Sequence, residues 1–382
     1  MSSTGTPGPE PTVSGTALRS VVLAAGGTAG HLEPAFAAAA ALQERHPDVR
    51  ITFLGTGKGL ESRLVPARGY DLRQIPAVPM PRGASTGWVT LGPRLLGASR
   101  DAGRVLRDVL AQVVVGFGGY ASLPAYLAAR RRGIPSVVHE ANARPGVANR
   151  LGARLTPFVA VSTPATGLPH EQLVGIPLRP QIAHLDTAAL RDEARAYFGL
   201  RADLSTLLVF GGSQGARRIN DAVVGAAPAL QAAGIQVLHA AGPDQQVTPP
   251  PSTDHAPYVV VPYVERMDLA YAAADLALCR CGAMTCAELS AVGLPSVLVP
   301  YPFSNGEQVL NAQPLADRGS AIVVDDGDLT SDWVRDHVVP LLTDADALPR
   351  MRSVAGPVAG ADPATLLSDM VERAVAQRGR AS

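Results

Sequence analysis

Short apolar runs, each about the length of one buried strand, alternate with helix-sized segments along the first part of the chain. The runs lie at residues 19–25, 51–54, 113–116, 136–139 and 158–162. Unbroken apolar runs, unlike runs that alternate polar and apolar positions, are typical of strands covered on both faces. The pattern predicts a parallel sheet with helices on both sides.

The second part of the chain repeats this plan. Its apolar runs lie at residues 206–210, 236–240, 258–262, 276–279, 296–300 and 321–324. In both parts a glycine loop and a helical segment follow the first strand: G-G-T-A-G-H at residues 26–31 and G-G-S-Q-G-A at residues 211–216. We therefore predict an α/β protein of two Rossmann-like domains, with the functional site in a cleft at the carboxyl ends of the strands.

The segment G-I-P-L-R-P at residues 175–180 connects the two parts, and its prolines make it stiff. We place an N-terminal domain at residues 19–175 and a C-terminal domain at residues 176–360. Residues 1–18 are rich in Ser, Thr, Gly and Pro, which predicts a disordered tail, and they lack the basic and apolar regions of a signal peptide. Uncharged stretches fall short of ~20 apolar residues, so we predict no membrane-spanning helix.

The formal net charge is zero, from 33 basic and 33 acidic residues, but the two parts carry opposite charges. Residues 1–175 hold 18 Lys and Arg against 10 Asp and Glu, a net charge of +8, which leaves −8 for the remainder. The neutral total therefore does not exclude an anionic partner for the first domain.

Both glycine loops place backbone N–H groups at the positive end of a helix dipole, which suits a phosphate or pyrophosphate. Thr28 and Ser213 hold equivalent places in the two loops and add a hydroxyl to each. Tight strand-to-helix packing is the alternative explanation for the glycines. Neither loop reads G-x-G-x-x-G, which disfavours a dinucleotide oxidoreductase, and Lys58 is not followed by Ser or Thr, which excludes a P-loop.

A third turn, C-R-C-G-A-M-T-C-A-E-L at residues 279–289, places Glu288 about one turn into a helix, where its carboxylate can accept both hydroxyls of a ribose. An acid that complements the helix dipole is the alternative. The next loop offers Glu307, Gln308 and Asn311, groups that read sugar hydroxyls or simply cap a helix. The cysteines of the turn form no C-x-x-C pair, which favours small buried residues over a zinc site.

Taken together, these motifs resemble those of the MurG family, which transfers N-acetylglucosamine from UDP-N-acetylglucosamine to lipid-linked N-acetylmuramoyl-pentapeptide (lipid I). The motifs, in family order, are G-G-T-A-G-H at residue 26, G-F-G-G-Y at 116, H-E-A-N at 139, G-I-P-L-R at 175, G-G-S-Q-G-A at 211, the turn at 282–288 and E-Q-V-L-N-A at 307. The resemblance implies a GT-B fold, a last helix at residues 361–382 that returns to the first domain, and an inverting transfer that uses neither cofactor nor metal.

The resemblance also implies a binding site for UDP-N-acetylglucosamine. Its residues by family pattern are Thr28, Ala29, Gly30, Asn142, Arg179, Ser213, Val264, Ala283, Met284, Thr285, Cys286, Ala287, Glu288 and Gln308. In this pattern Glu288 binds the ribose and the backbone at Val264 binds the uracil edge. The chain departs from the pattern at Ala29, where many relatives have glycine, and at Glu307, where glutamine is frequent.

The transfer requires a base that removes the proton of the acceptor's 4-hydroxyl. His31 is the first candidate, because the N-terminus of a helix favours the neutral imidazole that a base needs. Binding of the acceptor diphosphate, or capping of the helix, is an equal alternative for His31. Glu140 and His139 are the second candidates, and a structural role, with Glu140 held by Arg144, is the alternative for them.

Residues 82–107 mix apolar side chains with arginines, which predicts a surface that docks on anionic lipid. Its membrane-facing residues would be Trp88, Leu91, Arg94 and Leu95. An amphipathic helix packed on the core is the alternative. With the resemblance, this surface implies a peripheral protein on the cytoplasmic side of the cell membrane. Its partners would be lipid I and division and cell-wall synthesis proteins, not nucleic acid.

Three other functions fit the predicted architecture. A UDP-N-acetylglucosamine 2-epimerase or a soluble natural-product glycosyltransferase would share the fold but would not need the arginine-rich surface at residues 82–107. A nucleotide-sugar sensor without catalysis would leave the loops on the acceptor side without a role.

Overall fold

The computed structural model describes residues 17–57, 59–79, 87–164, 166–212, 214–248, 256–356 and 362–381. The tail expected at residues 1–18 lies outside this part of the chain, apart from its last two residues. Two parallel sheets make up the structure, which confirms the α/β fold predicted from the apolar runs.

Within the described residues the first sheet has seven strands, in the order β3-β2-β1-β4-β5-β6-β7, and every neighbouring pair is parallel. Its strands are β1 (Ser20–Ala24), β2 (Arg50–Thr56), β3 (Asp71–Ile75), β4 (Val113–Gly116), β5 (Ser136–Glu140), β6 (Val159–Val161) and β7 (Glu171–Leu173). The helices between them are α1 (Ala29–Arg45), α2 (Glu61–Ala67), α3 (Gly87–Asp108), α4 (Ser122–Arg131) and α5 (Val147–Gly152).

The second sheet, in the part of the chain that the structure describes, has six parallel strands in the order β10-β9-β8-β11-β12-β13. They are β8 (Ser205–Phe210), β9 (Ile235–Ala240), β10 (Tyr258–Val261), β11 (Leu276–Cys279), β12 (Ser296–Leu298) and β13 (Ala321–Val323). The helices are α6 (Pro180–Ala183), α7 (Thr187–Tyr197), α8 (Arg217–Ala232), α9 (Met267–Ala273), α10 (Ala283–Val292), α11 (Glu307–Asp317), α12 (Ser331–Trp333), a π-helical turn (Val334–Val338), α13 (Val339–Thr343), α14 (Ala347–Val354) and α15 (Pro363–Ala381).

Alternate residues of the first strand enter cores on opposite faces of the sheet. Val21 and Leu23 of β1 pack in the core that α1 covers, whereas Val22 and Ala24 pack in the core under α3 and α4. Both faces are apolar because successive side chains of a strand point to opposite sides of the sheet. This arrangement explains why the strands read as unbroken apolar runs in the sequence.

Two edge strands, β3 and β7, lack an apolar run and were not predicted. The sequence of β3 is D-L-R-Q-I and that of β7 is E-Q-L, and most of these side chains are exposed or half-buried. An edge strand has a neighbour on only one side, so its residues need not be apolar to complete the ladder.

Helix α15 packs on the first domain although it follows the second domain in sequence. Leu367, Met370 and Val371 are buried in the same core that α1 covers. At the helix surface Asp369 forms an ion pair of 2.7 Å with Arg45. No helix in the described residues is long and apolar enough to span a bilayer.

The chain passes from one domain to the other at two adjacent points, at Gly175 and at the start of α15. Gly175, at the start of the connecting segment, has a φ of +89°, and a Cβ at this position would lie 2.9 Å from Cγ of Pro363, the first residue of α15. Its carbonyl accepts a hydrogen bond of 2.9 Å from His139 Nε2. Only glycine combines this backbone conformation with so close an approach.

Candidate functional site

The two sheets face a shared cleft of about 1690 Å³. Its walls come from the loops that follow β1, β4 and β5 in the first domain and β8, β10, β11 and β12 in the second. The two glycine loops follow β1 and β8. Later strands of each sheet lie on both sides of these two strands, so the strand order reverses there. This position at the carboxyl ends of the strands is where open α/β sheets bind ligands.

Most of the residues predicted for the donor site line this cleft. They are Thr28, Gly30, Asn142, Arg179, Val264, Ala283, Met284, Thr285, Glu288 and Gln308, and the catalytic candidates His31 and Glu140 line it too. Ser213 and the side chain of Ala29 lie outside the described residues. Cys286 is buried in the core of the second domain, and neither Cys286 nor Ala287 is among the residues that line the cleft.

His31 lies in the first turn of α1 with its ring held by the glycine loop. Its Nδ1 is 3.1 Å from the carbonyl oxygen of Gly26 and 3.2 Å from the hydroxyl of Thr28. A carbonyl oxygen can only accept, so this contact assigns the proton to Nδ1 and leaves the lone pair on Nε2. Nε2 faces the loop after β4, where a Cβ on Gly118 would lie 3.0 Å from it.

The environment of His31 favours the neutral ring. Burial lowers the pKa of His31 below 6.5, and the hydrogen bond to Gly26 and the charges of Glu140 and Glu61 oppose this change without cancelling it. An imidazole with an unprotonated Nε2 is therefore the main form at neutral pH, which is the form that a general base requires.

The glycines of G-F-G-G-Y bring the loop after β4 against the first glycine loop. Gly119 has a φ of +80°, and a Cβ there would overlap the carbonyl oxygen of Gly26. The motif therefore permits contact between two backbones beside His31, a reason for glycine that spacing alone did not reveal.

Glu140 is buried, and its carboxylate accepts hydrogen bonds from the loop that follows β5 and from α5. One carboxylate oxygen accepts from the backbone N–H and the side-chain amide of Asn142, and the other from Gly146 N–H and Asn149 Nδ2. Four donors on one carboxylate favour a group that orders the loop. The predicted contact with Arg144 is wrong, because that side chain extends to the other domain and donates to the carbonyl of Asn305.

His139 lies in the interior of β5, and its ring packs 5.3 Å from that of Phe117. Burial lowers the pKa of His139 to about 4. Its Nε2 donates a hydrogen bond to the carbonyl of Gly175, so the side chain supports the connection between the domains.

Glu288 and Arg179 form the charged part of the site on the second domain. The hydroxyl of Tyr271 donates to Glu288 at 2.8 Å, and Arg179 lies 3.7 Å from the other carboxylate oxygen. Burial raises the pKa of Glu288, while the bond from Tyr271 and the charge of Arg179 oppose the rise. Two neighbours that stabilise the charged form leave this carboxylate suited to accept hydroxyl groups.

Arg179 also approaches the first domain, at a distance of 3.6 Å from Glu33 of α1. Arg68 donates to both oxygens of Glu33, at 3.1 and 2.7 Å. Sequence reasoning missed Glu33 and Arg68. They are 35 residues apart and belong to no motif, so only the fold brings them to the cleft.

The polar residues of the loop before α11 have different partners. Gln308 accepts from the backbone N–H of Tyr301 at 2.9 Å, which leaves its amide NH₂ group for the cleft. Asn311 is buried and accepts from the backbone N–H of Ala143 at 3.2 Å, so it links the two domains. Glu307 lines the cleft, and burial raises its pKa. No group of three or more described His, Cys, Asp or Glu side chains is placed to hold a metal ion.

Comparisons with known proteins agree with this architecture. Residues 21–161 match the glycosyltransferase family 28 N-terminal domain, and residues 206–361 match the glycosyltransferase family 28 C-terminal domain. A relative from Streptomyces avermitilis, a UDP-N-acetylglucosamine–N-acetylmuramyl-(pentapeptide) pyrophosphoryl-undecaprenol N-acetylglucosamine transferase, is 56% identical over 363 residues, which cover 94% of this chain and 99% of that protein.

Solved structures show the same two-domain fold. Acinetobacter baumannii MurG matches with a TM-score of 0.72 and 29% identity, over 93% of this chain and 99% of that chain. A calicheamicin glycosyltransferase matches with a TM-score of 0.65 and 18% identity, over 96% of this chain and 100% of that one. The predicted GT-B fold is confirmed.

The hydrogen-bond network behind the site yields a stability prediction. The hydroxyl of the fully buried Tyr126 donates to Asn149 Oδ1 at 2.9 Å, and Asn149 Nδ2 donates in turn to Glu140. Tyr126→Phe leaves a buried acceptor without a partner, so we expect the free energy of unfolding to fall by about 1–3 kcal/mol in urea titrations.

Tyr70→Phe is the matched control for that measurement. The Tyr70 hydroxyl donates to Gln43 at 3.1 Å in an exposed position, where water can replace the lost partner. Its effect should stay within about 0.5 kcal/mol. Equal losses for the two variants would contradict a supporting role for the buried network.

Proposed function

The chain belongs to glycosyltransferase family 28 and, within it, to the MurG family, and from this premise we propose that it transfers N-acetylglucosamine from UDP-N-acetylglucosamine to lipid I in peptidoglycan synthesis. The observation that carries the proposal is 56% identity with a transferase of that name over 94% of the chain. The epimerase and the soluble natural-product glycosyltransferase are not favoured, because relatives at 55–56% identity are named as transferases of N-acetylglucosamine to the lipid-linked acceptor. The likeness to the calicheamicin enzyme, at 18% identity, extends to the fold alone.

The second domain is proposed to hold the donor. Glu288, oriented by Tyr271, is suited to the ribose hydroxyls, and the N-terminus of α10 at Ala283 supplies backbone N–H groups at the positive end of the helix dipole. The guanidinium of Arg179 is partly exposed and lies more than 3.5 Å from both of its carboxylate partners, so it is available to a diphosphate. These groups would stabilise the negative charge of the departing UDP.

The first domain is proposed to hold the acceptor and the base. As the acceptor's 4-hydroxyl attacks the anomeric carbon, the bond to the diphosphate breaks, UDP leaves, and His31 Nε2 takes the hydroxyl proton. The Nδ1–H bond to Gly26 presents Nε2 in the unprotonated form this step needs. Glu140 is proposed to order the loop at Asn142 and Asn149 rather than to act as the base, since donors already occupy its oxygens.

Helix α3 is proposed as the membrane-docking element, on the cytoplasmic side where nucleotide sugars are found. Arg94 is exposed and Leu91 and Leu95 are half-buried, whereas Ala102 and Leu106 in its C-terminal half pack in the core. The side chain of Trp88 lies outside the described residues. A helix that is anchored at one end and carries apolar and basic groups at the other suits an anionic lipid surface. Contact with division and other cell-wall synthesis proteins stays a prediction from the resemblance.

The proposed activity is tested by incubating the protein with labelled UDP-N-acetylglucosamine and a lipid I analogue. We expect label in the lipid product and release of UDP in equal amounts, with no epimer of the donor. Epimerisation of the free UDP-sugar without transfer, or transfer to small aglycones but not to the lipid, would refute the proposal.

His31 is tested by separate substitution with Ala and with Gln. We expect turnover at saturating substrates to fall by about 10²–10⁴-fold, the usual contribution of a general base. In the unaltered enzyme kcat/KM should fall as the ring gains a proton, with a midpoint below 6.5 because burial lowers the pKa of His31. Variants within about fivefold of the parent would remove His31 as the base.

Membrane docking is tested by sedimentation with anionic phospholipid vesicles. The double variant Trp88→Ala with Arg94→Glu should bind less than the parent, because it removes an apolar anchor and reverses a charge worth roughly 1 kcal/mol near the surface. Arg350→Glu, an exposed charge reversal on α14, should leave binding unchanged. Equal binding by the double variant and the parent would contradict the role of α3.

A further inference from the structure

One buried carboxylate beside the first glycine loop has no part in the reaction as described so far. Glu61, the first residue of α2, is fully buried. One of its oxygens accepts from the backbone N–H and the hydroxyl of Thr56, at 2.8 and 2.7 Å. The other accepts from the backbone N–H of Gly27 at 2.9 Å.

The surrounding backbone leaves space for this carboxylate. A Cβ on Gly26 would lie 2.8 Å from a Glu61 oxygen, and a Cβ on Gly55 would lie 2.6 Å from its Cγ. A Cβ on Gly59 would overlap the oxygen that accepts from Gly27. Three glycines thus pack against one acidic side chain, which is the geometry of a built site rather than of a chance contact.

The bond from Gly27 N–H reaches the imidazole through one peptide group. That N–H belongs to the same planar unit as the carbonyl of Gly26, which accepts from His31 Nδ1 at 3.1 Å. In a trans peptide the N–H and the C=O point in opposite directions, so a carboxylate that holds the N–H also orients the C=O. Glu61, the peptide and His31 therefore form a continuous hydrogen-bonded chain, in which each bond strengthens the next.

We propose that Glu61 is a positioning residue for the transfer reaction, which orients His31 through the peptide group between Gly26 and Gly27. The carboxylate holds the Gly26 carbonyl towards Nδ1, and this contact places the single proton of the neutral ring on Nδ1, so that the lone pair lies on Nε2. The role rests on the proposed function, in which His31 is the base.

The charges around His31 set the sign of the pH effect. Glu61 of α2 and Glu140 of β5 both raise its pKa against burial. Glu33 of α1 is paired with Arg68 and Arg179, and the groups from the other facing loops, at Gly118 and Asn149, are uncharged. Removal of the charge on Glu61 makes protonation of the ring harder, so the acidic limb of kcat/KM should move to lower pH.

The test is Glu61→Gln, in which the side chain keeps its size and loses its charge, measured by lipid-linked transfer over a range of pH. We expect kcat to fall about 10–100-fold, as for small misplacements of catalytic groups, while KM for UDP-N-acetylglucosamine changes less than about threefold. The acidic limb should move down by about half a pH unit or more. Glu44→Gln, an exposed position on α1, should match the parent in all three.

A second variant tests the same contact in case Glu61→Gln does not fold. Gly59→Ala keeps the carboxylate but displaces it from Gly27, and it should also lower kcat without a comparable change in KM for the donor. Gly327→Ala, at an exposed position outside the cleft where a Cβ meets open space, is its control.

The outcomes separate the two proposals. No transfer by the unaltered chain would overturn the proposed function, and this inference with it. Transfer by the unaltered chain, with Glu61→Gln or Gly59→Ala equal to it in kcat and in the acidic limb, would overturn only the role of Glu61. A uniform loss, in which KM rises as much as kcat falls and the acidic limb stays in place, would also reject positioning of His31.

Discussion

Parallel pairing of all the strands in both sheets is the constraint on which the site depends. Because every strand of a sheet runs in the same direction, the loops that follow them meet at one edge. Two such edges face each other, so backbone N–H groups, carboxylates and arginines from distant parts of the chain share one cleft. Apolar cores on both faces of each sheet make those loops the places where polar groups are exposed.

Local arrangement, rather than total charge, determines what this cleft can bind. The chain is neutral overall, yet its first 175 residues carry +8 and the rest −8. Within the cleft, Arg179 lies between Glu33 of one domain and Glu288 of the other, and Arg68 also pairs with Glu33, so two carboxylates are matched by two arginines within 4 Å. A neutral sum is therefore compatible with an anionic donor, an anionic acceptor and an anionic membrane.

Much of the candidate site was predictable because its signals are local. The glycine loops follow strands, and Glu288 follows its turn by a fixed number of residues, so sequence spacing indicates where they lie. The family pattern placed Cys286 in the donor site, and the sequence offered Asn311 as a group that reads sugar hydroxyls or caps a helix. The structure buries both, because a helix turns one face to the core and one to the cleft, and spacing did not show which.

The sequence by itself determined the two parallel sheets and the cleft between them, because hydrophobic runs and glycine loops act over short distances along the chain. The family resemblance added the donor-site residues, most of which line that cleft. Only the tertiary structure decided that Glu33 meets Arg68, that Arg144 reaches Asn305 and that Glu61 holds the peptide beside His31. Those contacts join residues from separate elements, and nothing in local spacing encodes a hydrogen bond formed when two loops pack together.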